Sequence, residues 1–518
     1  MRTKRVLINI ITGVFGKFSN IIFQFVSRTL FIYLLGGTYL GVYGLFSQVL
    51  SVLSLAELGI GNAIVFKLYK SIATNDTKRT QALMNFYGKA YRRIGFFILV
   101  AGLCVTPFVK YIAKSDVVIP DLQMIYVLYV ISSATSYLFI FKSAYLVANQ
   151  QEYIYTIIRT VFNFLQIVGQ LLVLYLTKSF ICYLIAQITI DFLKNVYVSR
   201  TCNRMYPFLR RVKQENLEKK EVGNIFKDVK ALVIVKVSEV MVNSTDNIIV
   251  SSIVGIVQSG MFTNYTNITI HINQVINTMI YAVNASIGNY NAVESEENKY
   301  QMFKNIGFLV NWIFSASTIC LFTLINPFII LWIGKSWLFS MILVFVLCFN
   351  FYIVGTQNIV WTFRQTMGLF VHGKYKPLVS VAVNLVVSIV LTNYLGIIGV
   401  LIGTSITHIF VDVWFDPLIV HKYGFKRSVK PYYIWYLRNT TLLFIAGGIT
   451  YAVSNIFSSY SVVVFMWRFF CSIIIPNTIF YVANRKKEEM QFVKIKFNAL
   501  FGRFRKKKLS VSAPVEIS

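Results

Sequence analysis

With 518 residues, 56% of them hydrophobic and only 14% charged, the chain carries more apolar surface than a soluble core of that length buries. A mean hydropathy of +0.63, and apolar runs of about 20 residues or more, make lipid the solvent for most of it and exclude a soluble globular protein. The formal charge of +30 reads as membrane topology rather than nucleic-acid binding, because Lys and Arg in loops are retained on the cytoplasmic side.

The first apolar run follows Arg2, Lys4 and Arg5 and continues from Leu7 to Leu35 without a small-residue cleavage site, so it is a first membrane span rather than a signal peptide. The pattern predicts an all-α integral membrane protein of about fourteen transmembrane helices. Their approximate spans are 7–35, 40–66, 95–113, 122–147, 154–177, 179–198, 231–254, 261–287, 305–333, 338–362, 377–396, 397–420, 432–453 and 459–483. A β-barrel would show alternating segments instead. Placing the N-terminus inside puts about 38 Lys and Arg in the inner connections and tails. Four remain outside, Lys110, Lys114, Lys178 and Lys335, and about eight fall within spans. Both termini are therefore expected in the cytoplasm. The outer connections are short, about ten residues or fewer, which leaves no room for an acceptor-binding domain. The tail carries ten basic residues between Arg485 and Lys508, interleaved with Phe492, Phe497, Phe501 and Phe504. That pattern suits either an interfacial amphipathic segment or a solvated retention signal.

Motifs for chemistry are missing. The six cysteines form no CxxC pair, the four histidines form no HExxH, and Gly334-Lys335-Ser336 has Ile329 where a phosphate-cradling loop needs its upstream glycine. No metal, disulfide, cofactor or ATPase activity is implied, and the chain is not expected to be an enzyme.

An internal repeat organises the spans. A shift of 219 residues lays Gly16-Lys17-Phe18-Ser19 over Val235-Lys236-Val237-Ser238, and Gly36, Gly41 and Tyr43 over Gly255, Gly260 and Phe262. Near a shift of 222, Phe141-Lys142 meets Phe363-Arg364. Six spans separate the copies, an even number, so the halves share orientation. The expected domains are an N-lobe, 1–200, a basic linker, 201–230, and a C-lobe, 231–420. Two added helices, 421–483, and a basic tail, 484–518, complete the chain.

Polar stripes cross several spans. Lys17, Asn20, Gln24 and Arg28 follow a 3, 4, 4 spacing on one helical face, and Lys236, Glu239, Asn243 and Asp246 do the same in the seventh span. The eighth span adds Asn264, Asn267, His271, Gln274 and Thr278; the second offers Gln48, Ser51, Ser54 and Glu57; the fifth contributes Arg159, Asn163, Gln166 and Gln170. A charged side chain facing lipid costs about 2.5–3.5 kcal/mol near mid-bilayer, so these stripes face a watery cavity or one another as interhelical glue. Lys142 and Arg364 sit near cytoplasmic ends, where snorkelling is expected. Cations with many amides and few acids suit an anionic, hydroxyl-rich ligand.

The pairs Ser27-Arg28-Thr29, Leu35-Gly36 and Gly41-Val42-Tyr43-Gly44, then Ala56-Glu57-Leu58-Gly59-Ile60-Gly61 and Ser244-Thr245-Asp246-Asn247-Ile248-Ile249, carry a resemblance. The chain resembles, nearly end to end, the bacterial polysaccharide flippases of the multidrug/oligosaccharidyl-lipid/polysaccharide exporter superfamily, which include the O-antigen and capsule repeat-unit translocases. This implies translocation of undecaprenyl-pyrophosphate-linked oligosaccharide across the bacterial cytoplasmic membrane by rocking of two six-helix lobes. It further implies that Lys17, Arg28 and Lys236 hold the pyrophosphate. Lys142 stands where relatives commonly show arginine, a point charge in place of a bidentate fork. Glu57, Glu239 or Asp246 could carry a coupling ion, H+ or Na+, and the polysaccharide polymerase machinery is a candidate partner beside the membrane lipids. The alternatives are a drug/cation antiporter of the same superfamily, a membrane glycosyltransferase or polymerase, and a structural partner in capsule export.

Overall fold

The computed structural model describes residues 2–54, 60–113, 119–139, 141–149, 151–209, 217, 222–223, 241, 245–369, 372–373 and 375–495. Among these residues there is no strand, and fifteen helices follow in chain order. They are α1 (Arg2–Leu53), α2 (Ile60–Ala73), α3 (Thr77–Ile112), α4 (Leu122–Ser136), α5 (Phe141–Ala148), α6 (Glu152–Thr177) and α7 (Phe180–Met205). After these come α8 (Thr245–Val254), α9 (Ile256–Val293), α10 (Glu296–Ile333), α11 (Met341–Thr366), α12 (Lys376–Leu395), α13 (Ile397–Gly424), α14 (Lys430–Ser454) and α15 (Val462–Asn484). Nine of the described helices are long and apolar enough to cross a membrane, and the pair α4 and α5, bent by 42°, makes a tenth.

Helix starts follow from local chemistry. Asp76 caps α3 by accepting from the backbone of Arg79, and Ser179, Ser295, Ser340 and Ser461 cap α7, α10, α11 and α15 in the same way. Glu296 and Glu297 in the first turn of α10 add favourable charge at its N-terminus. The turn expected between the first two spans contracts to a single residue. Gly36 (φ 79°) breaks α1, and its repeat mate Gly255 (φ 147°) separates α8 from α9, conformations that glycine adopts without the steric cost of a Cβ. The second predicted span, 40–66, is divided between the end of α1 and α2.

The chain separates into two compact units, residues 1–264 with 377–400, and residues 265–376 with 401–518. In the first unit a core built on Leu68, Leu83, Tyr87, Tyr91, Ile98, Leu146 and Cys202 joins α2, α3, α5 and α7. The same unit contains a close crossing of α1 with the start of α9. A Cβ on Gly41 would lie 1.9 Å from the carbonyl oxygen of Ile256, and one on Gly260 would lie 2.8 Å from Gly41 N. A Cβ on Gly44 would meet Thr263 Oγ1 at 2.8 Å. Gly41 and Gly260, and likewise Gly44 and Thr263, are mates under the 219-residue shift, so each residue touches its own repeat equivalent, as at a local twofold axis.

In the second unit α10 packs along α11, α14 and α15 around Ile319, Tyr352, Ile353, Leu443, Ala446 and Phe480. Trp312 Nε1 donates to Asn477 Oδ1 at 2.9 Å, and the Tyr352 hydroxyl accepts from Asn311 at 3.1 Å and lies 3.0 Å from Thr440 Oγ1. Such bonds tie α14 and α15 to the bundle, since polar groups in a bilayer must find partners in protein.

Candidate functional site

Glu57, Lys236, Glu239 and Asn243 lie outside the described residues, as do the side chains of Lys17 and Asn20. The residues of the basic tail from 496 onward lie outside them too. Of the remaining stripe positions, Arg28 and Asn264 meet directly. Arg28 Nε donates to Asn264 Oδ1 at 2.6 Å, joining α1 to α9 within the first unit across 236 residues of sequence. Asn264 is 1% exposed, and neither its Nδ2 nor Arg28 Nη2 has a hydrogen-bond partner among the described residues.

One tyrosine lies close to this pair and two more follow it in a chain of ring contacts. Tyr43 lies within electrostatic reach of Arg28, and its ring centroid is 6.2 Å from that of Tyr129. Tyr129 and Tyr126 pack edge-on against Phe46 at 5.7 and 5.1 Å, and the hydroxyls of both are buried without a partner among the described residues. Arg28 Nη2 and Asn264 Nδ2 are thus donors without a partner among the described residues, and such donors can meet the oxygens of an anion. Among the described residues Arg28 forms no ion pair. The tyrosines escaped the sequence reading because an aromatic in an apolar run looks like core until its hydroxyl is seen to be unpaired.

The other described stripe positions differ in exposure. Gln24 and Gln274 are exposed, Gln48, Asn267 and Asp246 are half-buried, and His271 is half-buried with an Nδ1 that has no partner among the described residues. No side-chain hydrogen bond among the described residues joins Gln24, Gln48, Asn267, His271 or Gln274 to the Arg28 pair. In the fifth-span stripe, Gln170 is 3% exposed and donates to Gln187 Oε1 at 3.1 Å, which is the interhelical role at that position.

Two cations expected to snorkel do not. Lys142 is 7% exposed, and its ammonium donates to Asn203 Oδ1 at 2.6 Å and to the Leu209 carbonyl at 3.1 Å. Its repeat mate Arg364 donates through Nη2 to the His372 carbonyl at 2.7 Å and through Nη1 to Asp416 Oδ1 at 2.5 Å. Both side chains turn inward because loop carbonyls and side chains from distant segments supply acceptors there.

Arg364 belongs to a network in the second unit that the sequence reading missed. Lys376 Nζ lies 2.5 Å from both Asp412 Oδ1 and Asp416 Oδ2, His408 Nδ1 lies 2.6 Å from Asp412 Oδ2, and Trp361 Nε1 donates to Asp416 Oδ2 at 3.0 Å. His408, Asp412 and Asp416 are spaced by four on α13, one face of a helix. Wide turns at 408–412 and 420–424 flank Asp416, a local geometry that re-aims side chains. Two acids face a guanidinium and an ammonium, so groups of opposite charge meet within the protein. Among the described residues no three His, Cys, Asp or Glu side chains gather as a metal set.

No family model matches the sequence, and no curated protein matches it. Among solved structures, the lipid II flippase MurJ in an inward closed conformation is similar with a TM-score of 0.65 and 13% identity, covering 93% of this chain and 99% of that one. An inward-facing multidrug resistance MATE family transporter of the MOP superfamily follows at 0.61 and 15%, covering 78% and 96%. The chain shares the fold of these two proteins. A mutant of the Vibrio cholerae MATE transporter VcmN shares that fold at 0.58 and 15%, with coverage of 83% and 98%. This fold and the series of apolar helices make the chain a multi-pass α-helical membrane protein. Identities this low establish architecture, and function has to be argued from the site.

Proposed function

We propose that the chain moves undecaprenyl-(pyro)phosphate-linked oligosaccharide repeat units from the inner to the outer leaflet of the bacterial cytoplasmic membrane. The product would serve synthesis of a surface polysaccharide such as capsule, O-antigen or exopolysaccharide. One observation carries this reading: the Arg28–Asn264 pair, with Tyr43 within electrostatic reach, keeps unused donors and has no acid partner among the described residues. That chemistry favours an anion attached to hydroxyl-rich groups over a cationic drug. The likeness to a lipid II flippase supports a lipid-linked substrate.

In this proposal Lys17 and Lys236 join Arg28 at the pyrophosphate, and Asn20, Gln24, Gln48, Asn243, Asn267, His271 and Gln274 line the sugar path. The lobes 1–200 and 231–420 alternate access, the polyprenyl tail stays in lipid, and no covalent bond is broken. Both termini face the cytoplasm. Glu57, Glu239 or Asp246 carries a coupling ion if transport uses a gradient, and the polymerase machinery receives the product outside. The likenesses to multidrug resistance MATE family transporters favour a second reading, a drug/cation antiporter.

Proteoliposomes loaded with fluorescent lipid-linked oligosaccharide separate the two. The flippase reading expects protein-dependent leaflet crossing, reduced about tenfold or more when Arg28 is neutralised. Undiminished crossing after neutralising Lys17, Arg28 and Lys236 together rejects the site, and transport of a cationic dye without lipid crossing supports the second reading.

A further inference from the structure

The second unit holds a cavity of about 260 Å³ that the transport reading leaves unused. Its lining includes Tyr300, Phe303 and Lys304 from the first turns of α10, Tyr432 and Trp435 from the first turns of α14, and His421 from the end of α13. The volume is below the roughly 300–1,000 Å³ usual for drug-sized ligands and fits a smaller polar group.

Its surroundings place it at a membrane boundary. Just beyond it, Glu296 pairs with Lys426 and Glu297 with Arg427, and all four side chains are exposed, as suits the aqueous edge. Tyr432, Tyr433, Trp435 and Tyr436 crowd the start of α14, the composition of an interfacial aromatic belt. Lys422, Lys426, Arg427, Lys430 and Arg438 make this the basic side of the membrane, which is where anionic lipids are attracted.

Two polar groups in the lining have unmet capacity. His421 is 0% exposed, and its Nδ1 lies 2.8 Å from the Pro417 carbonyl oxygen. A carbonyl only accepts, so Nδ1 donates and Nε2, buried and without a partner among the described residues, is left as the acceptor of the neutral ring. Among the described residues Lys304 has one acid nearby, Glu489, at 3.7 Å, which is beyond hydrogen-bond length and leaves its ammonium protons available to another oxygen. The aromatic rings of Tyr300, Phe303, Tyr432 and Trp435 form the walls beside them.

We propose that this cavity binds the headgroup of an anionic glycerophospholipid that ends in a free hydroxyl. The phosphate meets Lys304, the hydroxyl donates to His421 Nε2, and the acyl chains stay in the bilayer. A lipid is favoured over a soluble phosphate because aromatic walls at the interface suit a ligand that is already membrane-borne.

Quenching of Trp435 by brominated lipids tests this in the full-length protein held in phosphatidylcholine nanodiscs, with Trp435→Phe isolating the signal. Saturable quenching by brominated phosphatidylglycerol is expected, with half-saturation raised about tenfold by Lys304→Gln. Phosphatidic acid, which lacks the terminal hydroxyl, should bind several-fold more weakly. Quenching that merely tracks mole fraction, equal affinity in Lys304→Gln, or equal affinity for phosphatidic acid overturns the proposal. Displacement by free glycerol 3-phosphate at similar concentration overturns the lipid assignment.

Discussion

The two units hold their buried cations in opposite ways. In the first, the one hydrogen bond of the Arg28 side chain among the described residues is to the neutral amide of Asn264, and its Nη2 is a buried donor without a partner there. In the second, Arg364 and Lys376 close onto Asp412 and Asp416, with Trp361 and the His372 carbonyl supplying further bonds. The desolvation cost of an intramembrane charge is offset internally in the second case. In the first, among the described residues, it is offset only in part, and this is the basis of the proposal that Arg28 takes an external oxygen acceptor. A satisfied network therefore reads as framework and a partly satisfied one as a binding surface.

This contrast can be broken by substitution. Asp416→Ala should have the largest effect, because it strips Arg364 of its acid and Lys376 of one of two. A loss of about 3–5 kcal/mol is expected, read as a lowered unfolding midpoint in detergent, and an unchanged midpoint would refute the framework role. Next is the glycine crossing. Gly41→Val forces a side chain into the Ile256 backbone and should cost about 1–3 kcal/mol in the same assay, with Gly44→Ala milder because Thr263 can rotate. Arg28→Ala should reverse the pattern, with transport falling about tenfold, equivalent to about 1.4 kcal/mol, while the midpoint moves less than in Asp416→Ala. If stability falls and the transport of folded protein does not, Arg28 is framework as well. Smallest of all, Lys426→Ala removes an exposed ion pair with Glu296 and should change stability by about 1 kcal/mol or less, with a salt dependence that vanishes in the variant.

Much of the architecture was legible because a bilayer enforces simple rules. Apolar runs had to be helices, and Gly36 and Gly255 marked breaks in both copies of the repeat. The site was legible by halves. Arg28 and Asn264 each stood on a polar stripe, yet nothing local to either position announces a partner 236 residues away. The spacing of His408, Asp412 and Asp416 was equally visible, but its meaning depended on Lys376 and Arg364 arriving from other helices.

Lys142 and Arg364 show why the remainder could not be read. A cation near a helix end has a flexible stem that reaches the interface or the interior with similar ease, so its direction is decided by which acceptors lie within reach. Composition and periodicity determined by themselves that this chain is a bundle of membrane helices with costly polar faces, because those are properties of single segments in lipid. Only the tertiary structure decided which of those charges are neutralised, since pairing is a property of separate segments brought together.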